Sequence, residues 1–230
     1  MNKHLLLLPL VLLPAVAGAE MVAGWDFNEE STGLDNTTPK TFSPDGGSQA
    51  GTASLIVTLA DTGSSNTYGV VAEGTDLNDM WNTPAEVGNS YSYGRGWRSD
   101  VATLTIDFDA SSFTQAVELS FAINRIESQA VDTYQPSYST NGGVDFTDLG
   151  GPVAIELGTW NVDTIDFGTL LNGSSDAQVR LTFTGGDANW NPDHRTNLDN
   201  VALSTVPEPS IYAAIFGGLA LAGVFLRRRR

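Results

Sequence analysis

Between residues 20 and 205, this 230-residue chain is poor in side chains that do covalent chemistry. That stretch holds one histidine, His194, and one lysine, Lys40, and the whole chain has no cysteine. A cysteine nucleophile and a thiolate metal site are therefore excluded. There is no G-x-S-x-G elbow, no H-E-x-x-H and no phosphate-binding glycine loop. A Ser-His-Asp triad would have to use His194, in the polar run Asn191-Pro192-Asp193-His194-Arg195, where a solvated loop histidine is the plainer reading. What is left is oxygen chemistry and stacking. Paired carboxylates suffice for glycoside hydrolysis, but acids are so numerous here that no pair stands out. Carboxylates and carbonyls also hold Ca²⁺. Candidate ligands for a structural Ca²⁺ are Asp26 with Asn28, Asp107 with Asp109, and Asp187 with Asn189, alternate residues that can face one side of a strand or loop. A solvated acidic face competes with each, and no EF-hand spacing is present. Sugar binding would use exposed rings. Tyr91, Tyr93 and Trp97 gather with Arg95 and Arg98 in residues 89–98, and Trp190 and Trp81 add two tryptophans. Tyr91, Tyr93, Trp97 and Trp190 are the candidate ligand contacts; the favoured alternative is that such rings close the ends of the fold under long loops.

The elements that must position these residues are strands. In Ala102–Asp109, Ala102, Leu104, Ile106 and Phe108 alternate with Thr103, Thr105, Asp107 and Asp109. Val117, Leu119, Phe121 and Ile123 form a second such series, and Val179, Leu181 and Phe183 a third. Period-two alternation marks strands with one face buried and one wet. Further strands are expected near 20–28, 52–60, 131–139, 162–167 and 196–204. Thr140-Asn141-Gly142-Gly143 and Ser43-Pro44-Asp45-Gly46-Gly47 supply turn chemistry, the first a hairpin signal because Asn-Gly tolerates positive φ. No amphipathic helix is evident between Glu20 and Thr205. The expected fold is an all-β antiparallel sandwich, jelly-roll-like in topology. Residues 20–205 carry six Lys/Arg against 26 Asp/Glu, a net charge near −20. Such a surface repels nucleic acid, and repels anionic polysaccharide unless cations bridge the two.

Both termini read as addresses. Lys3 precedes the apolar run Leu5–Val16, and Ala17-Gly18-Ala19 is a small-x-small cleavage signature, so residues 1–19 are expected to be a signal peptide removed by signal peptidase between Ala19 and Glu20. At the other end, 211–226 is a run of 16 uncharged residues. As a helix it would be about 24 Å long, short for a hydrocarbon core of about 30 Å but extended by snorkelling arginines. Arg227, Arg228, Arg229 and Arg230 would anchor it on the cytoplasmic side, leaving the domain outside. Pro207 and Pro209 hold the preceding segment extended.

Val206-Pro207-Glu208-Pro209-Ser210, an apolar span and a terminal arginine cluster together resemble the PEP-CTERM sorting signal, over residues 206–230. The resemblance implies recognition of Pro207, Glu208 and Pro209 by an exosortase-like membrane enzyme, in an exopolysaccharide-making Gram-negative bacterium, and delivery to the surface or matrix. A weaker resemblance, carried by Gly24-Trp25-Asp26-Phe27-Asn28, by Tyr138–Thr147 and by Asn197–Leu203, is to lectin-like and carbohydrate-binding jelly-roll modules. Asp199-Asn200 is expected to cap neighbouring backbone or pin a bulge. The expected protein is an exported, non-enzymatic envelope or matrix component with a structural or adhesive role and weak exopolysaccharide binding; the alternative is a jelly-roll carbohydrate-active enzyme using paired carboxylates.

Overall fold

The computed structural model describes residues 19–28, 33–35, 39–59, 67–71, 74–78, 90–94, 102–186, 195–206 and 218. All its strands pair antiparallel, in two seven-stranded sheets. Sheet A contains β1 (Glu20–Trp25), β2 (Gly33–Asp35), β5 (Thr67–Val71), β6 (Ser90–Gly94), β8 (Ala116–Arg125), β12 (Asn161–Gly168) and β14 (Arg195–Val206). Its order is β12-β8-β14-β6-β5-β2, with β1 added on β14. Sheet B contains β3 (Lys40–Phe42), β4 (Ser54–Leu59), β7 (Ala102–Phe108), β9 (Thr133–Ser139), β10 (Thr147–Asp148), β11 (Val153–Ala154) and β13 (Ala177–Thr184). Its order is β10-β9-β13-β7-β4-β3, with β11 also on β9.

The two sheets bury one shared core. Leu104, Ile106, Val179 and Leu181 of sheet B meet Val117, Leu119, Leu198 and Leu203 of sheet A, all fully buried. The alternation in the sequence is thus the inward half of each strand, as the buried positions of β7 and β13 show. Aromatic rings stitch the layers: Phe121 of β8 meets Tyr134 of β9 edge-on at 5.5 Å, and Tyr134 leans on Phe183 at 6.1 Å. The expected β-sandwich is what forms.

Two local expectations need refinement. The Asn141-Gly142 hairpin does join β9 to β10, but through a seven-residue loop, 140–146. Positive φ falls on Gly142 (68°) and Gly143 (80°). Asn141 instead acts through its side chain: its Oδ1 accepts from the Ser139 hydroxyl at 2.7 Å and from the Asp145 N–H at 3.1 Å. A local side-chain acceptor has outcompeted the two-residue turn. The second concerns 90–94, within the aromatic stretch 89–98, which forms strand β6; its short polar–aromatic alternation hid it.

In the 43–47 loop the glycines serve close approach. Gly24 and Gly46 bridge directly, and the Gly24 N–H donates to Gly46 O at 3.0 Å. Gly47 sits at φ 110°, where a Cβ would lie 2.5 Å from the Val22 carbonyl oxygen. Both features demand glycine.

Among the described residues no helix is long and apolar enough to cross a membrane. The expected signal peptide, including Ala17, and the expected sorting tail, including Pro207, Glu208, Pro209 and Arg227–Arg230, lie outside the described residues apart from Ala19, Val206 and Gly218.

Candidate functional site

β14 organises the site. Its twelve residues run about 36 Å from Arg195 to Val206. One edge pairs with β8 along its length. The other is shared: β6 takes Arg195–Leu198 and β1 takes Val201–Thr205. The split falls at Asp199-Asn200, where the β8 pairing is bulged.

Segment 74–78 fills that split. The Asp199 carboxylate accepts from the Thr75 N–H at 2.7 Å and from the Asn200 N–H at 2.9 Å. Asn200 Nδ2 donates to the carbonyls of Thr75 and Leu77, each at 2.8 Å. Asn78 Nδ2 donates to Asn200 O at 2.7 Å and to Ser120 Oγ at 3.2 Å. Asn78 and Asn200 both take positive φ, 60° and 47°, a region asparagine enters more readily than most residues. Asp199-Asn200 therefore pins a bulge and a loop, as its residue types suggest. Asn200→Ala should cost about 2–3 kcal/mol, because two carbonyls lose their donor and alanine resists this φ. Asn200→Gly should recover the backbone part only, a difference that urea midpoints would resolve.

On the outer face of sheet A, between this latch and the Arg195 end, lies the most unusual polar feature of the fold. Asn197 of β14 stands opposite Asn124 of β8. Asn197 is fully buried and Asn124 nearly so. Among the described residues, Asn197 Nδ2 and Oδ1 and Asn124 Oδ1 have no hydrogen-bond partner. Buried amides without partners are costly, at about 1–3 kcal/mol per group, and a stable domain keeps few of them. Asn197 pairs onward with Ser92, and Ser92 with Gly69. The row Asn124, Asn197, Ser92, Gly69 thus crosses four strands, about 14 Å, with small residue types at its far end. Arg195 lies two residues from Asn197 and opposite Gly94.

The other candidates are placed as follows. Register sets Tyr91 opposite Leu198 and Tyr93 opposite Thr196, both fully buried residues. Trp97 and Trp190 lie outside the described residues, as do Asp187 and Asn189. Asp26 is tied into local backbone, its N–H donating to Asp45 Oδ2 at 2.8 Å and its Oδ1 accepting from the Asn28 N–H at 3.0 Å. Asp107 sits on the outer face of sheet B opposite Ser54 and Gln178. Asp109 lies past the end of β7, where hydrogen bonds from the Ser111 hydroxyl and from the Ser111 N–H, the latter at 2.8 Å, hold its carboxyl below the usual range. Among the described residues no three His, Asp or Glu side chains converge on a cation.

Two further features were not legible in the sequence. Glu118 and Asp166 stand directly opposite each other on β8 and β12. Burial pushes the Glu118 carboxyl up, and the Asp166 charge adds to it. A cavity of about 450 Å³ opens between β9 and β12, lined by Tyr134, Asp163 and Asp166 among others.

No protein-family model matches this chain, and no characterised protein matches it in sequence. Solved structures of similar shape include the CBM22-1 xylan-binding domain of Paenibacillus barcinonensis Xyn10C, 14% identical, with a TM-score of 0.45 over 84% of this chain and 99% of that one. The K1 cleaved adhesin domain of Lys-gingipain from Porphyromonas gingivalis is 12% identical, with a TM-score of 0.44 over 78% and 95%. The enzymatically active domain of bacteriophage CBA120 tailspike protein 4 is 13% identical, with a TM-score of 0.42, and the match spans 67% of this chain and only 19% of the phage chain. At these identities the likeness concerns the fold alone.

Proposed function

We propose that this chain is an exported envelope or matrix protein, released from the membrane by an exosortase-like enzyme, whose sandwich plays a structural or adhesive part and binds polysaccharide weakly on the outer face of sheet A. One observation carries the reading: Glu20, the first residue of β1, is the register partner of Thr205, next to last in β14. The two chain ends that bear the address segments leave the domain together. The Asn124–Asn197 row lies toward the opposite end of β14, so a domain tethered at Val206 holds that row away from the bilayer. Unpartnered amides suit sugar hydroxyls, which can both donate and accept, and a sugar reaches this buried pair only by displacing what covers it.

The test has a sorting arm and a binding arm. Alanine at Pro207, Glu208 and Pro209 should leave the full-length protein in the membrane fraction; normal maturation of that variant overturns the sorting reading. Asn197→Ala should lower binding to glycans on an array at least tenfold. It should also leave the domain as stable as before or about 1 kcal/mol more stable, because it removes orphaned buried polar atoms. Lost stability with unchanged glycan binding would make Asn197 a structural residue and overturn the site. The Glu118–Asp166 pair supports a second reading, a carbohydrate-active enzyme. Release of sugar from a polysaccharide, abolished by Glu118→Gln, would favour it.

A further inference from the structure

The groove between β9 and β12 has a different chemistry from the amide row. Its β9 side is open because the outer edge of β9 is divided: β10 pairs with Ser137 and Tyr138, β11 with Thr133 and Tyr134. The chain between them swings out through Leu149–Gly151, held by the Leu149 N–H donating to Pro136 O at 2.9 Å. Opposite runs β12, an edge strand of sheet A. The resulting cavity, about 450 Å³, has apolar walls at Pro136, Leu149 and Val153 and polar ones at Tyr134, Asp163 and Asp166. The Tyr134 hydroxyl donates to Asp163 Oδ2 at 2.8 Å, which holds that carboxylate on the groove. Among the described residues no lysine, arginine or histidine lines it. The nearest cation on β13, Arg180, stands instead at an outward position of sheet B with its guanidinium 3.5 Å above the Phe146 ring.

We infer that this groove binds an amine-bearing sugar polymer, a glycan whose residues carry free protonated amino groups. The inference rests on the reading above that the protein meets a polysaccharide, and names its class at a second location. The argument is charge complementarity. A domain near −20 repels an anionic chain and has no electrostatic preference for a neutral one. A cationic chain is drawn to it from solution, and the Asp163 carboxylate beside apolar walls provides for both an ammonium group and the sugar face that carries it. Tyr134 fixes Asp163 in place, so binding need not order that side chain. Asp166, exposed on the rim and on the opposite face of β12, accepts from the Gly168 N–H at 2.7 Å and adds to the negative field at the mouth of the groove.

The experiment titrates the full chain with fully deacetylated glucosamine oligomers, their N-acetylated counterparts and neutral glucan oligomers. Deacetylated oligomers should bind at least tenfold tighter than acetylated ones, and the preference should fall steeply between low and high salt. Asp166→Asn should lower binding to deacetylated oligomers about threefold to tenfold. Asp163→Asn should do the same while still accepting from Tyr134, so a changed melting curve is not expected. Equal binding of acetylated and deacetylated oligomers, or amine binding untouched by both variants, overturns the inference. Neutral-glycan binding sensitive to Asn197→Ala with no amine preference would overturn it alone and leave the outer-face site standing.

Discussion

Raising the pH from 4 to 8 should narrow and then reverse any stability deficit of an Asp199→Asn variant, lifting the variant by up to about 4 kcal/mol relative to the native domain. Asp199 is almost wholly buried. Burial pushes its carboxyl up to about 7 from an ordinary 3.8, against the pull of hydrogen bonds from the Thr75 and Asn200 N–H groups, with the Asp26 charge adding a smaller push in the same direction. A carboxyl that is harder to ionise in the folded state than in the unfolded one contributes stability in full below the unfolded value. It loses that contribution as pH rises through the folded value. Here the window runs from about 4 to about 7 and closes above it. At about 1.4 kcal/mol for each pH unit, the gap corresponds to about 4 kcal/mol. Asparagine does not titrate, so the difference between the two denaturation free energies isolates this one group. The variant should begin lower at acid pH by about 1 kcal/mol, because an amide has one acceptor oxygen where the carboxyl meets two N–H groups. Parallel free-energy curves from pH 4 to 8 would show that Asp199 ionises as freely in the fold as in the open chain.

Trp25→Ala should lower the unfolding free energy by about 4–5 kcal/mol, a large part of the 5–15 kcal/mol typical of a domain. Trp25 is almost completely buried. It sits on β1 opposite Val201, and its indole N–H donates to Phe42 O at 3.3 Å. Truncation opens a ring-sized cavity and orphans that carbonyl. The effect extends beyond one strand: β1 and β14, the first and last strands among the described residues, pair within sheet A. Trp25→Phe keeps most of the packing and should cost about 2 kcal/mol. Urea melts check both, with the midpoint falling and the slope unchanged if the domain still unfolds in one step. A loss below about 2 kcal/mol for the alanine variant would mean that the core collapses around the gap.

These two residues also divide the labour of the Gly24–Asn28 and Asn197–Leu203 stretches. In the sequence they lie near the two ends of the domain and carry the resemblance to lectin-like jelly-roll modules. In space they are adjacent, paired through Trp25 and Val201. One supplies the ring that fills the core, the other the acid and amide that capture segment 74–78. The same proximity lets Asp26 raise the Asp199 carboxyl.

How far the chain could be read in advance follows from the range of the interactions involved. β7, β8 and β13 were visible because alternation is a local pattern, and burying one face of each strand yields a sandwich whatever the order of strands. The acidity and the lack of nucleophiles were plain from composition. β2, β3, β10 and β11, of two or three residues each, carry too little pattern to announce themselves. β6 did so only as aromatic content, since Ser-Tyr-Ser-Tyr-Gly satisfies ring-platform and strand templates alike. The bulge role of Asp199-Asn200 was legible because both residue types favour local backbone capture. Its partners were not, because Thr75 and Leu77 lie more than a hundred residues away in the chain.

What composition and local pattern decided is therefore the class of fold, the sign of its surface and the poverty of its covalent chemistry, each a property that sums over neighbouring residues. Tertiary structure alone decided which polar groups are stranded and which acids face a cavity. Asn124 meets Asn197, Glu118 meets Asp166 and Tyr134 meets Asp163 only through strand register and sheet packing. Register depends on which strands meet, and a slip of one residue would turn each of these side chains to the other face.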